Sequence, residues 1–159
     1  MNKRFLAIII AGLVALCGHA ETHYVVTNNP VNPSGVDPYT SWETAGTNLI
    51  DVVTAALTNT EPRTVIVSNG TYYLTNTVII NNALTIQSVN GRETTIVNGG
   101  YPDYTNRCFY LSHAGAVVDG FTITNGCEGT ENGGGVFADP GKIYNCRIIG
   151  NRLAYTPHG

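Results

Sequence analysis

Charge is what this sequence has least of. Only 12% of its 159 residues are Asp, Glu, Lys or Arg, about half the ~25% share of an ordinary soluble domain. Eight basic residues stand against 11 acidic ones, a net charge of −3. No basic stripe exists, so a nucleic-acid partner has no electrostatic footing. Lys and Glu, good helix formers, give way to Thr, Val, Asn and 18 glycines. That composition disfavours helix and favours short extended runs with frequent turns. Cysteine is scarce as well, four in all, and no pair has zinc-ligand spacing or a nearby histidine. Nucleophile motifs are missing: there is no G-x-S-x-G, and His113 has no Ser or Cys partner at motif spacing. Gly133-Gly134-Gly135 with Lys142 is no phosphate loop. The spacing is one residue too long, and Ile143 stands where Ser or Thr should hold magnesium.

One long apolar run is present, Phe5 to Leu16, between Asn2-Lys3-Arg4 and Gly18-His19-Ala20. This layout predicts a secretory signal peptide over residues 1–20, cleaved near Ala20. The run falls short of the ~20 residues that span a bilayer. Leu16 precedes Cys17 where a lipoprotein signal wants a small side chain. The mature chain is therefore expected to be secreted or at the cell surface, with no membrane span. Losing Lys3 and Arg4 takes the basic count from 8 to 6 against 11 acidic residues, a net of −5. Export permits disulfides. The remaining Cys108, Cys127 and Cys146 are odd in number, so at least one is unpaired or pairs elsewhere. Cys108 and Cys146 read as small apolar strand residues.

What the chain does have is repetition. Thr95-Ile96-Val97-Asn98-Gly99 returns as Thr122-Ile123-Thr124-Asn125-Gly126, and more loosely as Arg147-Ile148-Ile149-Gly150-Asn151. Spacing in the range of 20–50 residues marks a repeat architecture whose units stack. Asn-Gly pairs at 69, 90, 98, 125 and 132 punctuate short β-prone runs, and Asn-Gly suits sharp corners with φ > 0. A hairpin sandwich would need better-matched runs at closer spacing. A coil fits better, each turn giving two or three short strands that stack about 4.8 Å apart. Ile96, Ile123 and Ile148 are expected to form an inward ladder. One helix is predicted before the strands, over residues 47–58. Leu49, Val52, Val53, Ala56 and Leu57 make one apolar stripe. Asn48 caps it, Asp51 sits at N3, and Asn59 with Glu61-Pro62 ends it.

In order come the helix, then Thr64-Val65-Ile66-Val67-Ser68-Asn69-Gly70-Thr71-Tyr72, Leu84-Thr85-Ile86-Gln87-Ser88, and Val118-Asp119-Gly120-Phe121-Thr122-Ile123-Thr124-Asn125-Gly126. This succession resembles the N-terminal part of right-handed parallel β-helix proteins of the pectin-lyase-like superfamily, above all secreted bacterial ones. The resemblance covers residues 40 to 152. It implies an all-β, right-handed parallel β-helix of about four turns over 64–159, plugged at one end by the amphipathic helix, with a strand and loop over 21–46 before it. Members of the family run longer and finish with a cap, so the sequence is expected to be truncated, with an open C-terminal end that pairs with further turns or another chain.

Related polysaccharide lyases hold calcium with acidic side chains and use Arg or Lys to remove a proton. The resemblance thus makes Asp119 and Arg147 the catalytic candidates, ahead of Asp103, Asp139, Arg107 and Lys142. Asp119-Gly120 is equally a turn dipeptide, and Arg147 reads as an outward, solvated side chain. No two acids recur at the repeat spacing, so no carboxylate pair for calcium or glycosidic acid–base work is visible. No metal or cofactor is expected, calcium entering only if the lyase alternative holds. Tyr72, Tyr73, Tyr101, Tyr104 and Tyr110 suit either a sugar-stacking face or ordinary ladder positions. The expected function is a secreted or cell-surface scaffold that binds polysaccharide or mediates adhesion, without catalysis in this segment. The alternatives are the front of a polysaccharide lyase or glycoside hydrolase, and a truncated non-functional product.

Overall fold

The computed structural model describes residues 21–59, 62–129 and 133–154. The expected leader over 1–20 and the terminal 155–159 lie outside the described residues. The first strand, β1 (Glu21–Val25), leads through a long loop to α1 (Leu49–Thr58). The helix starts where Asn48 stops the loop: its side chain accepts a hydrogen bond from the Ile50 amide, and Asp51 lies in the first turn. Both satisfy the positively polarised helix start. Leu49, Val52, Val53 and Ala56 are the buried stripe.

Thirteen short strands follow: β2 (Arg63–Val67), β3 (Gly70–Tyr73), β4 (Val78–Ile80), β5 (Leu84–Ser88), β6 (Thr95–Asn98), β7 (Phe109–Leu111), β8 (Ala116–Asp119), β9 (Thr122–Thr124), β10 (Cys127–Glu128), β11 (Val136–Ala138), β12 (Lys142–Tyr144), β13 (Arg147–Ile148) and β14 (Arg152–Leu153). Every pairing among them is parallel. One sheet runs β1-β2-β5-β8-β12, a second β13-β9-β6-β3, a third β11-β7-β4, and β10 pairs with β14. The chain visits the first three sheets in rotation and then starts again, an arrangement compatible with a β-helix-like solenoid. The helix packs against β1, β2 and β4.

Side chains alternate across each strand, and the parallel register lines up the buried ones. In the first sheet His23, Val65, Ile86, Val118 and Ile143 are successive partners, the first four 0% exposed. His23 is tolerated there because both ring nitrogens are used: Nδ1 bonds the Pro38 carbonyl and Nε2 the Asn59 side-chain amide. The third sheet buries Val78, Ile80, Phe109 and Leu111.

In the second sheet the expected ladder is corrected. The pairing aligns Tyr72, Val97, Ile123 and Ile148, while Ile96 sits between Thr71 and Thr122. Val97 is 0% exposed and Ile96 is not buried. The first copy of the echo is therefore one residue out of register with the second, and a one-residue slip exchanges the faces, whereas Ile123 and Ile148 pair as expected. The corners explain it. Asn98 pairs with Thr124. The left-handed residue after them is Gly100 (φ 80) in one case and Asn125 (φ 52) in the other, so identical letters occupy different steps of the turn. Ile148, on the last strand of this sheet, is half exposed.

Cys108, Cys127 and Cys146 are all free thiols, the first two buried. Burial pushes the Cys108 thiol from its ordinary 9.0 up to about 12, against smaller opposing effects of backbone hydrogen bonds at Gly99 and Thr124. Burial raises Cys146 and Tyr72 as well. The folded chain thus holds these protons more tightly than the unfolded chain does. The stability they contribute is complete below the ordinary thiol range and is lost as pH rises toward the folded value. The thermal midpoint is expected to fall above about pH 9, the ordinary thiol value here, with the fall flattened in Cys108→Ala. A midpoint that stays level through that alkaline range in the unaltered chain would contradict this.

Candidate functional site

The exposed face of the first sheet carries its own ladder: Tyr24, Ile66, Gln87, Asp119 and Tyr144 are successive partners. Beyond the strand ends the chain turns at Ser68-Asn69, Val89-Asn90-Gly91, Gly120 and Asn145. Gly120 (φ 83) and Asn145 (φ 49) are left-handed, and a Cβ on Gly120 would lie 2.6 Å from the Ser88 hydroxyl. Ser88 is what ties these corners together: its hydroxyl donates to the Gly120 carbonyl and accepts from the Gly91 amide. Asn90 donates to the Asn69 side chain at 2.9 Å.

Two shallow depressions run along these corners and meet at the half-exposed Val89. Trp42, Ser68, Asn69 and Asn90 line one; Gln87, Ser88, Gly91, Asp119, Gly120 and Asn145 line the other. Their volumes, about 330 and 320 Å³, lie at the small end of the range for ligand sites. Trp42 arrives from the loop before α1, and that loop is pinned by hydrogen bonds as well as by the buried Ala45 and by Tyr39 packed against the core. The buried Asn29 amide donates to the Glu43 and Ala45 carbonyls, and its oxygen accepts from the Val31 and Asn32 amides. Ser41 and Thr44 exchange backbone-to-hydroxyl bonds on either side of Trp42. The indole then rests against Tyr24, ring centroids 4.5 Å apart, with 46% of the residue exposed.

Asp119 lies in this groove, its Oδ1 accepting from the Asn145 amide at 2.8 Å. Arg147 lies on the second sheet, past the corner, paired with Glu93 at 2.7 Å. The two catalytic candidates thus have separate partners on separate sheets. Asp103, Asp139 and Lys142 are exposed. Arg107 is nearly buried and bonds Glu128 at 3.1 Å. Its guanidinium lies 5.7 and 5.5 Å from the rings of Tyr110 and Phe137, which stack on each other at 5.2 Å. Tyr110 therefore belongs to an aromatic pair on the exposed side of the third sheet, flanked by Ile79.

The other tyrosines scatter. Tyr72 is 4% exposed, its hydroxyl bonded to Ser68, so its ring is a core ladder member. Tyr101 lies under the Arg152 guanidinium at 4.9 Å, Tyr104 is exposed beside Gly100, and Tyr73 is 74% exposed. Sequence marks Asn69 and Asn90 only as corners, and does not mark Trp42, Gln87 or Asn145 as binding residues. The available signal was Gln87 and Asp119, polar residues at outward positions of strands whose other face is apolar.

Chemically, the groove offers amides, hydroxyls, one carboxylate and an exposed indole. Among the described residues its lining includes no His, Lys, Arg or Cys, and a single acid does not make the pair that glycosidic hydrolysis uses. Among the described residues no three His, Cys, Asp or Glu side chains gather to hold a metal, and no helix is long and apolar enough to cross a membrane. No protein-family model matches the chain, and neither a curated protein nor a solved structure shows significant similarity to it.

Proposed function

We propose that this chain is an exported scaffold, a right-handed parallel β-helix of about four turns closed at one end by α1, that binds polysaccharide along the corner groove of its first sheet and performs no catalysis in this segment. The parallel strand order, the helix against β1, β2 and β4, and the leader-like first 20 residues support the architecture and the export. The observation that carries the binding role is the groove itself. An exposed indole and Val89 supply flat apolar surface for the C–H faces of sugar rings. Asn69, Asn90, Gln87 and Asn145 supply paired donors and acceptors for hydroxyls. Rungs of about 4.8 Å repeat on the scale of one sugar unit in an extended chain, so successive corners can meet successive sugars.

The test is native affinity electrophoresis of the mature chain through gels containing soluble polysaccharides. Retardation by at least one glycan is expected, with most of it lost in Trp42→Ala. Trp42 is exposed and the only tryptophan, so its removal leaves the core intact. Unchanged mobility in every gel, or retardation that Trp42→Ala does not alter, would overturn the proposal.

A further inference from the structure

We infer that the polysaccharide taken by this groove is a neutral one, held without calcium; the inference rests on the binding role proposed above. An acidic glycan carries a carboxylate or sulfate on each repeat and needs a cation near each. Among the described residues the groove lining has none. Its one charged lining residue is Asp119, whose carboxylate repels a uronate. Arg92 and Arg147 lie outside its lining and share Glu93, which balances one of their two charges, and Arg107 pairs with Glu128. Lys142 stands at the opposite end of its strand from the groove, in register with Val117. The chain as a whole is negative, −3, so its long-range field also disfavours a polyanion.

A bridging divalent cation is the usual way to place an acidic sugar beside an acidic protein. It needs several oxygen ligands, commonly more than one carboxylate, and the groove supplies one, already accepting from Asn145. What the groove does supply suits neutral sugars. Each amide offers both donors and acceptors, matching hydroxyls that do the same, and the indole is indifferent to charge.

Trp42, as the only tryptophan, reports on the groove directly. The mature chain is titrated with a soluble mixed-linkage glucan and a galactomannan, and in parallel with polygalacturonate and alginate, while tryptophan emission is followed. Each titration is repeated at higher salt and with EDTA. A saturable emission change with a neutral glycan is expected, shifted less than about twofold in midpoint by salt or EDTA, with no change for the polyanions. Binding of a polyanion equal to or tighter than that of the neutral glycans, or neutral binding abolished by EDTA, overturns this inference while leaving a polysaccharide-binding groove. No response to any of the four overturns both.

Discussion

Val97→Asp is expected to abolish the cooperative unfolding transition and Ile96→Asp to retain it. The two residues are neighbours in β6, and the echoed motif alone would put Ile96 inside. The register puts Val97 between Tyr72 and Ile123 at 0% exposure. Ile96 lies on the other face, between Thr71 and Thr122. A carboxylate at Val97 has no cation within its ladder. An uncompensated buried charge costs several kcal/mol, a large share of the roughly 5–15 kcal/mol that holds a domain together. At Ile96 the loss is confined to partial burial and strand preference, about 1 kcal/mol on the scale such substitutions span. Thermal unfolding followed by circular dichroism separates the cases. Loss of the transition in Ile96→Asp with survival in Val97→Asp would reverse the register.

Phe109→Ala is expected to lower the midpoint by roughly 10–15 °C, from about 3–5 kcal/mol of lost transfer and cavity energy. Phe109 and Phe121 are the largest fully buried side chains, both 0% exposed, with centroids 6.3 Å apart. They come from the third sheet and from the corner before β9, so removing one ring opens a void between layers that the short strands cannot collapse to fill. Phe137→Ala is the control. Phe137 stacks on Tyr110 on the exposed side of the same sheet, and its loss should cost well under half as much. Equal costs would mean that the third sheet does not have one buried and one exposed face.

The helix was legible because its information is local: one stripe, one cap, one acid in the first turn, all within Asn48 to Asn59. The strands were legible by their apolar alternation and their Asn-Gly corners. Register was not, because it depends on which residue of each corner takes the left-handed conformation, and Gly100 and Asn125 differ in that by one step. The same limit hid Tyr72. In Tyr72-Tyr73 one ring must face in and the other out, and only the pairing with Val97 says which. The groove was the least legible feature. Trp42, Asn69, Val89, Asp119 and Asn145 are spread over about a hundred residues of sequence and meet only through strand stacking. The loop that holds Trp42 in place depends on one buried asparagine, Asn29, that no motif marks.

The proposed glycan has two aromatic faces to choose between: the Trp42 groove on the first sheet and the half-buried Tyr110–Phe137 stack on the third. The most direct measurement is the nuclear magnetic resonance spectrum of the isotopically labelled mature chain, titrated with whichever glycan retards it in the gel. The indole N–H of Trp42 and the side-chain amides of Asn69, Gln87, Asn90 and Asn145 should shift together and saturate at one midpoint, while the buried amide of Asn106, nearer Arg107 in sequence and bonded to the Arg107 carbonyl, stays in place. Saturable shifts confined to Tyr110, Phe137 and Arg107, with the groove amides unmoved, would contradict a groove-binding scaffold.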